Sequence, residues 1–335
     1  MPTKSTRPTP EQVLLDDIIA LIESSDLPPW RKPWTSRSGE HRNPTNGTIY
    51  TGSNPLLLEL GLLMRGSSIP LWCTAKQAKD KGWCPQKGSR SVRIICPQLI
   101  SKEQTDSDGK TVVDTNGEAV IVSFSRFKVM PVFNFSDLKG MTDEGQASLD
   151  AFIQLHTGNT PEVSTSERLT AAEDHLEQWE VPVVFGGAVA CYSPAMDRIS
   201  MPMPEDFITR ETYCSTWLHE QAHSTGHHTR LDRPINNRFG SPGYAREELV
   251  AELGSVLACY RLSIGYELAT HAAYMQSWAS GLKEGGIKEL YAILSEARQA
   301  ADLIAPVSTD VDDAPLPEPE VDEQDWLDPS CLALV

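Results

Sequence analysis

The first part of the chain mixes helical and strand patterns of apolar residues. Thr9, Pro10 and Gln12 form the signature of a helix N-terminus, and apolar residues then recur every three or four positions. Further on, some apolar runs keep this helical spacing, and others alternate with polar residues as in strands. The predicted elements are a helix from residue 10, helices over 55–64 and from about 74, and strands over 92–100 and 119–135. Residues 1–140 are therefore predicted to form an α+β domain.

The second part changes to short strands followed by long helices. A helical connector is predicted over 141–180, and a mainly helical domain with a small sheet over 181–305. The last residues, 306–335, are rich in Pro and acids and too poor in apolar residues to fold, so we expect a disordered tail. The predicted fold class is α+β in two domains. Within the second domain the expected elements are strands inside 181–203 and helices over 208–224, 244–262 and 268–301.

Composition adds the class of protein and its compartment. The 335 residues are 40% hydrophobic and 22% charged, and no apolar run approaches the roughly 20 residues of a membrane span. The seven cysteines are scattered without a CxxC pair, which favours reduced thiols over a disulfide framework. We therefore expect a cytoplasmic protein with no membrane partner.

Charge is distributed unevenly, which changes the interpretation of the net charge of −17. Residues 30–100 carry 11 basic and 3 acidic side chains, whereas residues 141–305 carry 11 basic and 23 acidic ones. Residues 306–335 add nine acids and no Lys or Arg. An acidic chain as a whole disfavours nucleic-acid binding, but the basic segment makes such binding a hypothesis worth testing.

A candidate metal site lies in the sequence His219-Glu220-Gln221-Ala222-His223, within a segment of helical pattern. Residues four apart share one face of a helix, so both imidazoles can bind the same cation while Glu220 lies beside it. Zinc bound there would lower the pKa of water to about 7, and Glu220 would accept a proton as the water attacks a carbonyl. The alternative is a solvated helix with two ordinary histidines, which this spacing disfavours.

A third protein ligand has to come from elsewhere. The three-histidine version of the motif would need a histidine at the position of Thr229. The predicted helix over 244–262 offers Glu248 and Glu252 on one face, with Glu247 about 100° away from Glu248. We choose Glu248 as the ligand and Glu252 as the carboxylate that orients a ligand histidine, although these two roles could be exchanged. Surface exposure of all three glutamates is the alternative, and it fits Glu247 better than Glu252.

The basic segment also contains aromatic residues. Proteins hold single-stranded nucleic acids by stacking bases on aromatic side chains and neutralising phosphates with Lys and Arg. Tryptophans are more often core residues, so the composition by itself does not establish DNA binding. The candidate DNA-binding residues are Trp30, Arg31, Lys32, Trp34, Arg90 and Arg93, and Trp72 and Trp83 lie in the same segment.

The order of several motifs resembles that of a known family. In the N-terminal part they are Trp30…Pro33-Trp34, Asn43…Gly47…Tyr50…Gly52…Asn54, Trp72…Thr74…Gln77, Lys87-Gly88 and Val132-Phe133-Asn134. In the C-terminal part they are Tyr192-Ser193-Pro194, Asp197-Arg198-Ile199, Met201-Pro202, His219-Glu220…His223…Thr225-Gly226, Arg230-Leu231…Arg233, Phe239-Gly240…Tyr244 and Glu247-Glu248-Leu249…Ala251-Glu252-Leu253-Gly254. Over roughly residues 10–262 the chain resembles the ArdC-type antirestriction proteins of plasmids and phages.

This resemblance implies a single-stranded-DNA-binding domain followed by a zincin-like metallopeptidase domain. It implies a role in protecting incoming mobile-element DNA from host restriction. We expect one Zn²⁺, or another divalent ion, in a gluzincin-like site, and a DNA-associated protein as the substrate. The alternative is a non-enzymatic protein that binds single-stranded DNA or mimics DNA, with a structural metal. Glu220 favours the enzyme because a structural site does not need it, whereas the acidic tail 306–335 fits mimicry.

Overall fold

The computed structural model of the protein describes residues 8–23, 40–104, 110–113, 117–157, 164–264 and 272–306. It confirms an α+β fold in two domains. The helices are α1 (Pro10–Glu23), α2 (Asn54–Arg65), α3 (Ala75–Asp80), α4 (Asp143–Thr157), α5 (Thr165–Leu176), α6 (Arg210–Ser224), α7 (Pro242–Arg261) and α8 (Ala272–Ile304). The strands are β1 (Arg42–Asn43), β2 (Thr48–Ile49), β3 (Trp72–Cys73), β4 (Trp83–Pro85), β5 (Val92–Glu103), β6 (Ile121–Asn134), β7 (Leu138–Gly140), β8 (Val183–Phe185), β9 (Cys191–Ser193) and β10 (Arg198–Met201).

The predicted strands of the N-terminal domain form a long antiparallel hairpin. β5 pairs with β6 along its whole length, from Val92 opposite Val132 to Glu103 opposite Ile121. β3 joins the base of β6, which makes a three-stranded sheet in the order β3-β6-β5. Helix α2 packs across this sheet, and Trp72 lies fully buried in the core between them. The basic segment is therefore also the segment that builds the domain core.

The two connector helices pack on different domains. Leu149 of α4 belongs to the core around Trp83 and Phe135 of the N-terminal domain. Leu169 and Leu176 of α5 belong to the core of the C-terminal domain. The predicted connector is therefore two helices, of which α4 packs on the N-terminal domain and α5 on the C-terminal domain.

The C-terminal domain is built from a small sheet and three helices. β10 is the central strand, parallel to β8 and antiparallel to β9. α6 packs on β9 and β10 with one side and on α7 with another, and α7 packs in turn on the long helix α8. None of the described helices combines the length and the apolar composition needed to cross a bilayer. The sheet and α7 therefore enclose α6, which carries the candidate metal ligands.

Helix α1 connects the two domains. Although it begins the N-terminal domain, its apolar face, with Leu14 and Ile22, belongs to the same core as α7 and α8. Lys283 of α8 also forms an ion pair with Glu23 of α1. The domains consequently share a core, which the periodicity of the sequence did not reveal.

Candidate metal centre and nucleic-acid interface

Helix α6 brings the two histidines of the motif together. Thr209 caps its N-terminus by accepting a hydrogen bond from the Thr212 amide. One turn separates His219 from His223, and their Nε2 atoms lie 3.0 Å apart with perpendicular rings. Both Nε2 atoms therefore face the same point, as the spacing predicts.

Helix α7 supplies a carboxylate to that point. Ser241 caps the helix, and Pro242 occupies its first position. Glu248 Oε2 lies 3.6 Å from His219 Nε2, and Glu248 Oε1 lies 3.6 Å from His223 Nε2. Glu248 is 5% exposed, so this carboxylate is buried between the helices.

The donor set fits a divalent cation. Zinc ligands lie about 2.0–2.2 Å from a tetrahedral centre, which puts neighbouring ligand atoms about 3.3–3.6 Å apart. The two Nε2 atoms lie 3.0 Å apart, and each lies 3.6 Å from a different oxygen of Glu248, so one ligand atom from each residue falls within 4.8 Å of the others. Imidazole nitrogens with a carboxylate oxygen suit zinc and other first-row divalent metals. Among the described residues, His219, His223 and Glu248 are the group whose donor atoms converge in this way.

The other ring nitrogens face carboxylates as well. His219 Nδ1 lies 3.6 Å from Glu252 Oε2, on the side of the ring opposite Glu248. This placement favours the choice of Glu248 as ligand and Glu252 as the orienting carboxylate. The alternative of surface exposure, which fitted Glu247 better than Glu252, does not describe Glu247, because this residue is 6% exposed and its Oε1 lies 3.3 Å from His223 Nδ1. Glu247 turns inward because Arg233, which sequence reasoning left without a role, forms a buried ion pair with it.

In this cluster, burial and the neighbouring charges shift the pKa values of the ionisable groups in opposite directions. Burial alone would lower the pKa of His223, but its hydrogen bond to Glu247 and the charge of Glu248 raise it to about 9. Burial would raise the pKa of Glu248, but the hydrogen bond from His219 and the charge of His223 hold it far below its usual range. These charges favour the protonated form of His223, so a proton and a cation compete for this imidazole.

Glu220 lies on the same helix, next to the histidines but outside the donor set. It is 7% exposed, and its negative charge also contributes to the raised pKa of His223. A nearby carboxylate that is not a ligand remains able to accept a proton. The structure thus leaves Glu220 in a position compatible with the role of base.

The candidate DNA-binding residues are only partly accounted for. Trp30, Arg31, Lys32 and Trp34 lie outside the described residues. Arg90 is exposed, as expected for a phosphate contact. Arg93 is partly buried, and its Nη1 donates to Asp17 Oδ2 at 2.7 Å, which reduces the charge available to a phosphate.

Trp72 and Trp83 do not offer stacking surfaces. They are 0% and 1% exposed. Trp72 Nε1 donates to His41 Nδ1 at 3.1 Å, and the Trp83 ring packs on Phe135 and Phe152. Their presence in the basic segment therefore reflects the core of the domain rather than a binding surface.

Two family models match the chain, one in each domain. Residues 10–133 match the model of the N-terminal domain of anti-restriction factor ArdC, and residues 170–298 match that of a zincin-like metallopeptidase. The two matches divide between the domain with the basic segment and the domain with the metal centre.

Solved structures and other relatives are similar to this chain over most of its length. The metal-free structure of the antirestriction protein ArdC of plasmid R388 is 28% identical, with a TM-score of 0.60 over 88% of this chain and 96% of that one. The Mn(II)-bound structure of that protein gives 27% and 0.58 with the same coverage. The DNA primase TraC of Escherichia coli is 32% identical over 293 residues, which are 82% of this chain. This chain spans a quarter of the length of TraC.

Proposed function

Because the chain belongs to the ArdC-type antirestriction family, we propose that it protects incoming mobile-element DNA from restriction by combining single-stranded DNA binding with peptide hydrolysis. The N-terminal domain holds the DNA, and the metal centre of the C-terminal domain cleaves a protein associated with that DNA. Such a role would be performed in the cytoplasm, where incoming DNA meets restriction enzymes.

One observation carries this proposal: His219, His223 and Glu248 converge, and the buried Glu220 lies beside them but outside the donor set. These three residues would hold one divalent ion, with zinc the metal that best suits the donor set. When bound, such an ion polarises a substrate carbonyl and lowers the pKa of water.

The residues of the chain supply the remaining chemistry. Glu220 takes a proton from water at a carboxylate oxygen and can return it to the departing amine. Glu252 and Glu247 hold the Nδ1 sides of His219 and His223, which keeps both Nε2 atoms directed at the centre. The burial of the cluster strengthens these interactions, because less solvent screens the charges.

A strand edge beside α6 suits an extended peptide. β9 pairs with β10 on one side, with Tyr192 opposite Ile199, and it is an edge strand of the sheet as described. α6 packs directly on β9. An unpaired strand edge can bind a peptide by backbone hydrogen bonds, with little dependence on its sequence. We propose this edge as the substrate-binding strand.

Glu220→Gln tests the proposal in the full-length protein. The substitution removes the base but no ligand, so metal content should stay at one ion per chain while hydrolysis of a denatured-protein peptide library falls at least 100-fold. Protection of a transferred plasmid in a restricting recipient should be lost in parallel.

Two other results would contradict parts of this function. Unchanged hydrolysis by the Glu220→Gln protein would exclude Glu220 as the base. Unchanged protection by a variant without hydrolysis would favour the non-enzymatic alternative, in which DNA binding alone protects and the metal is structural.

A further inference from the structure

The guanidinium of Arg233 is buried directly behind the metal centre. Its side chain is 4% exposed. Nε donates to Glu247 Oε2 at 3.0 Å and Nη2 donates to Glu247 Oε1 at 2.7 Å, which forms a bidentate pair. Glu247 Oε1 is also the atom that lies 3.3 Å from His223 Nδ1. Arg233 is thus connected to a candidate ligand through one carboxylate.

The remaining donors of Arg233 hold the end of α6. Nη1 donates to Thr225 Oγ1 at 2.8 Å, and Nη2 donates to the Ala222 carbonyl at 2.9 Å. Carbonyls in the last turn of a helix have no partner within the helix, so a buried guanidinium can satisfy them. Arg233 consequently ties the end of α6, which carries His223, to α7, which carries Glu247.

Gly226 leaves the space that this guanidinium occupies. A Cβ atom at position 226 would lie 3.1 Å from Arg233 Nη2 and 2.4 Å from Ile235 Cγ2. The Arg233 amide also donates to the Gly226 carbonyl at 3.0 Å, so the turn folds back against the helix end. Gly226 and Arg233 therefore serve one arrangement at the end of α6.

We propose that Arg233 is a positioning residue of the metal centre that acts through Glu247. By fixing both oxygens of Glu247, it holds His223 Nδ1 and keeps His223 Nε2 directed at Glu248. A bidentate guanidinium fixes the orientation of a carboxylate, which the single ammonium of a lysine does not. This inference rests on the proposed metal function, since it assigns Arg233 to the same centre.

Metal affinity of the full-length protein tests the inference without reference to hydrolysis. Loss of an outer partner of a ligand histidine typically weakens metal binding 10–100-fold. We expect this loss for Zn²⁺ and Co²⁺ in Arg233→Met and a smaller loss in Arg233→Lys, measured by competition with a chelating indicator. The visible spectrum of bound Co²⁺ should change in both variants, because the orientation of His223 changes.

Arg261→Met, at the C-terminal end of α7, is the matched control. Arg261 donates to Asp302 Oδ1 at 2.7 Å and to the Ala305 carbonyl at 2.9 Å, so it also combines a carboxylate with a helix-end carbonyl. Its loss should lower the melting temperature but leave the Zn²⁺ affinity and the Co²⁺ spectrum unchanged. The control separates loss of an ion pair in general from loss of this ion pair.

Glu247→Gln shows whether Arg233 acts through the carboxylate. In the Glu247→Gln background, Arg233→Met should weaken Zn²⁺ binding less than threefold, because the path to His223 is already changed. Wild-type Zn²⁺ affinity in Arg233→Lys and Arg233→Met, or fully additive losses in the double variant, would overturn the inference. Failure of the wild-type protein to bind one ion would instead overturn the proposed function. If Arg233→Met does not fold, Arg233→Lys and its double variant with Glu247→Gln give the same comparison.

Discussion

The candidate residues of the two domains differ in which kind of side chain is buried. At the metal centre the polar residues turn inward and meet one another, with His219 3% and Glu252 0% exposed. In the described part of the basic segment the two tryptophans turn inward, since Trp72 and Trp83 are 0% and 1% exposed while Arg90 stays on the surface. A metal site needs fixed distances between polar atoms, which only a rigid, buried setting provides. Phosphate neutralisation needs charge at the surface, and many arrangements satisfy it.

Removing both histidines should produce the largest effect of all the substitutions, which is complete loss of the bound metal. In His219→Ala/His223→Ala, metal content should fall from about one ion per chain to none, because a single remaining ligand cannot hold the ion. The melting temperature should also lose its dependence on added Zn²⁺. Elemental analysis after gel filtration checks this prediction, and a full complement of metal in the variant would refute the site.

Substitution of two tryptophans sharpens the contrast within the N-terminal domain. Trp72→Ala should destabilise the protein by about 3–5 kcal/mol, because it leaves a cavity in the core and removes a hydrogen bond. Trp34→Ala should instead weaken single-stranded DNA binding by about 1–3 kcal/mol if Trp34 stacks on a base. Denaturant unfolding and DNA titration on both variants separate the two roles. A large stability loss in Trp34→Ala with unchanged DNA affinity would place Trp34 in a core as well.

Metal binding should depend on pH through His223. Its pKa of about 9 means that a proton occupies the ligand below that pH and competes with the cation. Metal affinity should therefore rise as the pH increases from 7 towards 9 and level off above about 9, where the proton no longer competes. Calorimetry with Mn²⁺ in two buffers should show release of close to one proton per ion at pH 7. A pH-independent affinity would contradict the protonated state of His223.

The smallest effects are expected at the two described arginines of the basic segment. Arg90→Ala should reduce the salt dependence of single-stranded DNA binding by about 0.7 on a log–log plot, because one phosphate contact is lost. Arg93→Ala should reduce it less, since Asp17 already neutralises much of its charge. Fluorescence titrations at several salt concentrations measure both slopes. Equal, full reductions for the two variants would show that the ion pair with Asp17 opens on DNA binding.

Features that depend on local geometry could be predicted from residue spacing. The i, i+4 spacing places His219 and His223 on one face of any helix, so the ligand pair could be predicted without knowing what packs against α6. The caps at Thr9 and Thr74 are equally local, and both helices begin where predicted.

Which residues of α7 face which nitrogen could not be predicted in this way, because it depends on how α7 packs on α6. The packing of α7 against α6 puts Glu248 at the Nε2 atoms and Glu252 behind His219, a distinction that two glutamates on one helix face cannot show in sequence. The same packing, with the turn that returns Arg233 to the end of α6, buries Glu247, for which the sequence pattern fitted surface exposure better than it did for Glu252. The burial of Trp72 was also decided at this level, because stacking platforms and core residues share one composition. Burial and long-range pairing depend on how helices and strands pack on one another. Residue spacing within one helix or strand does not specify that packing.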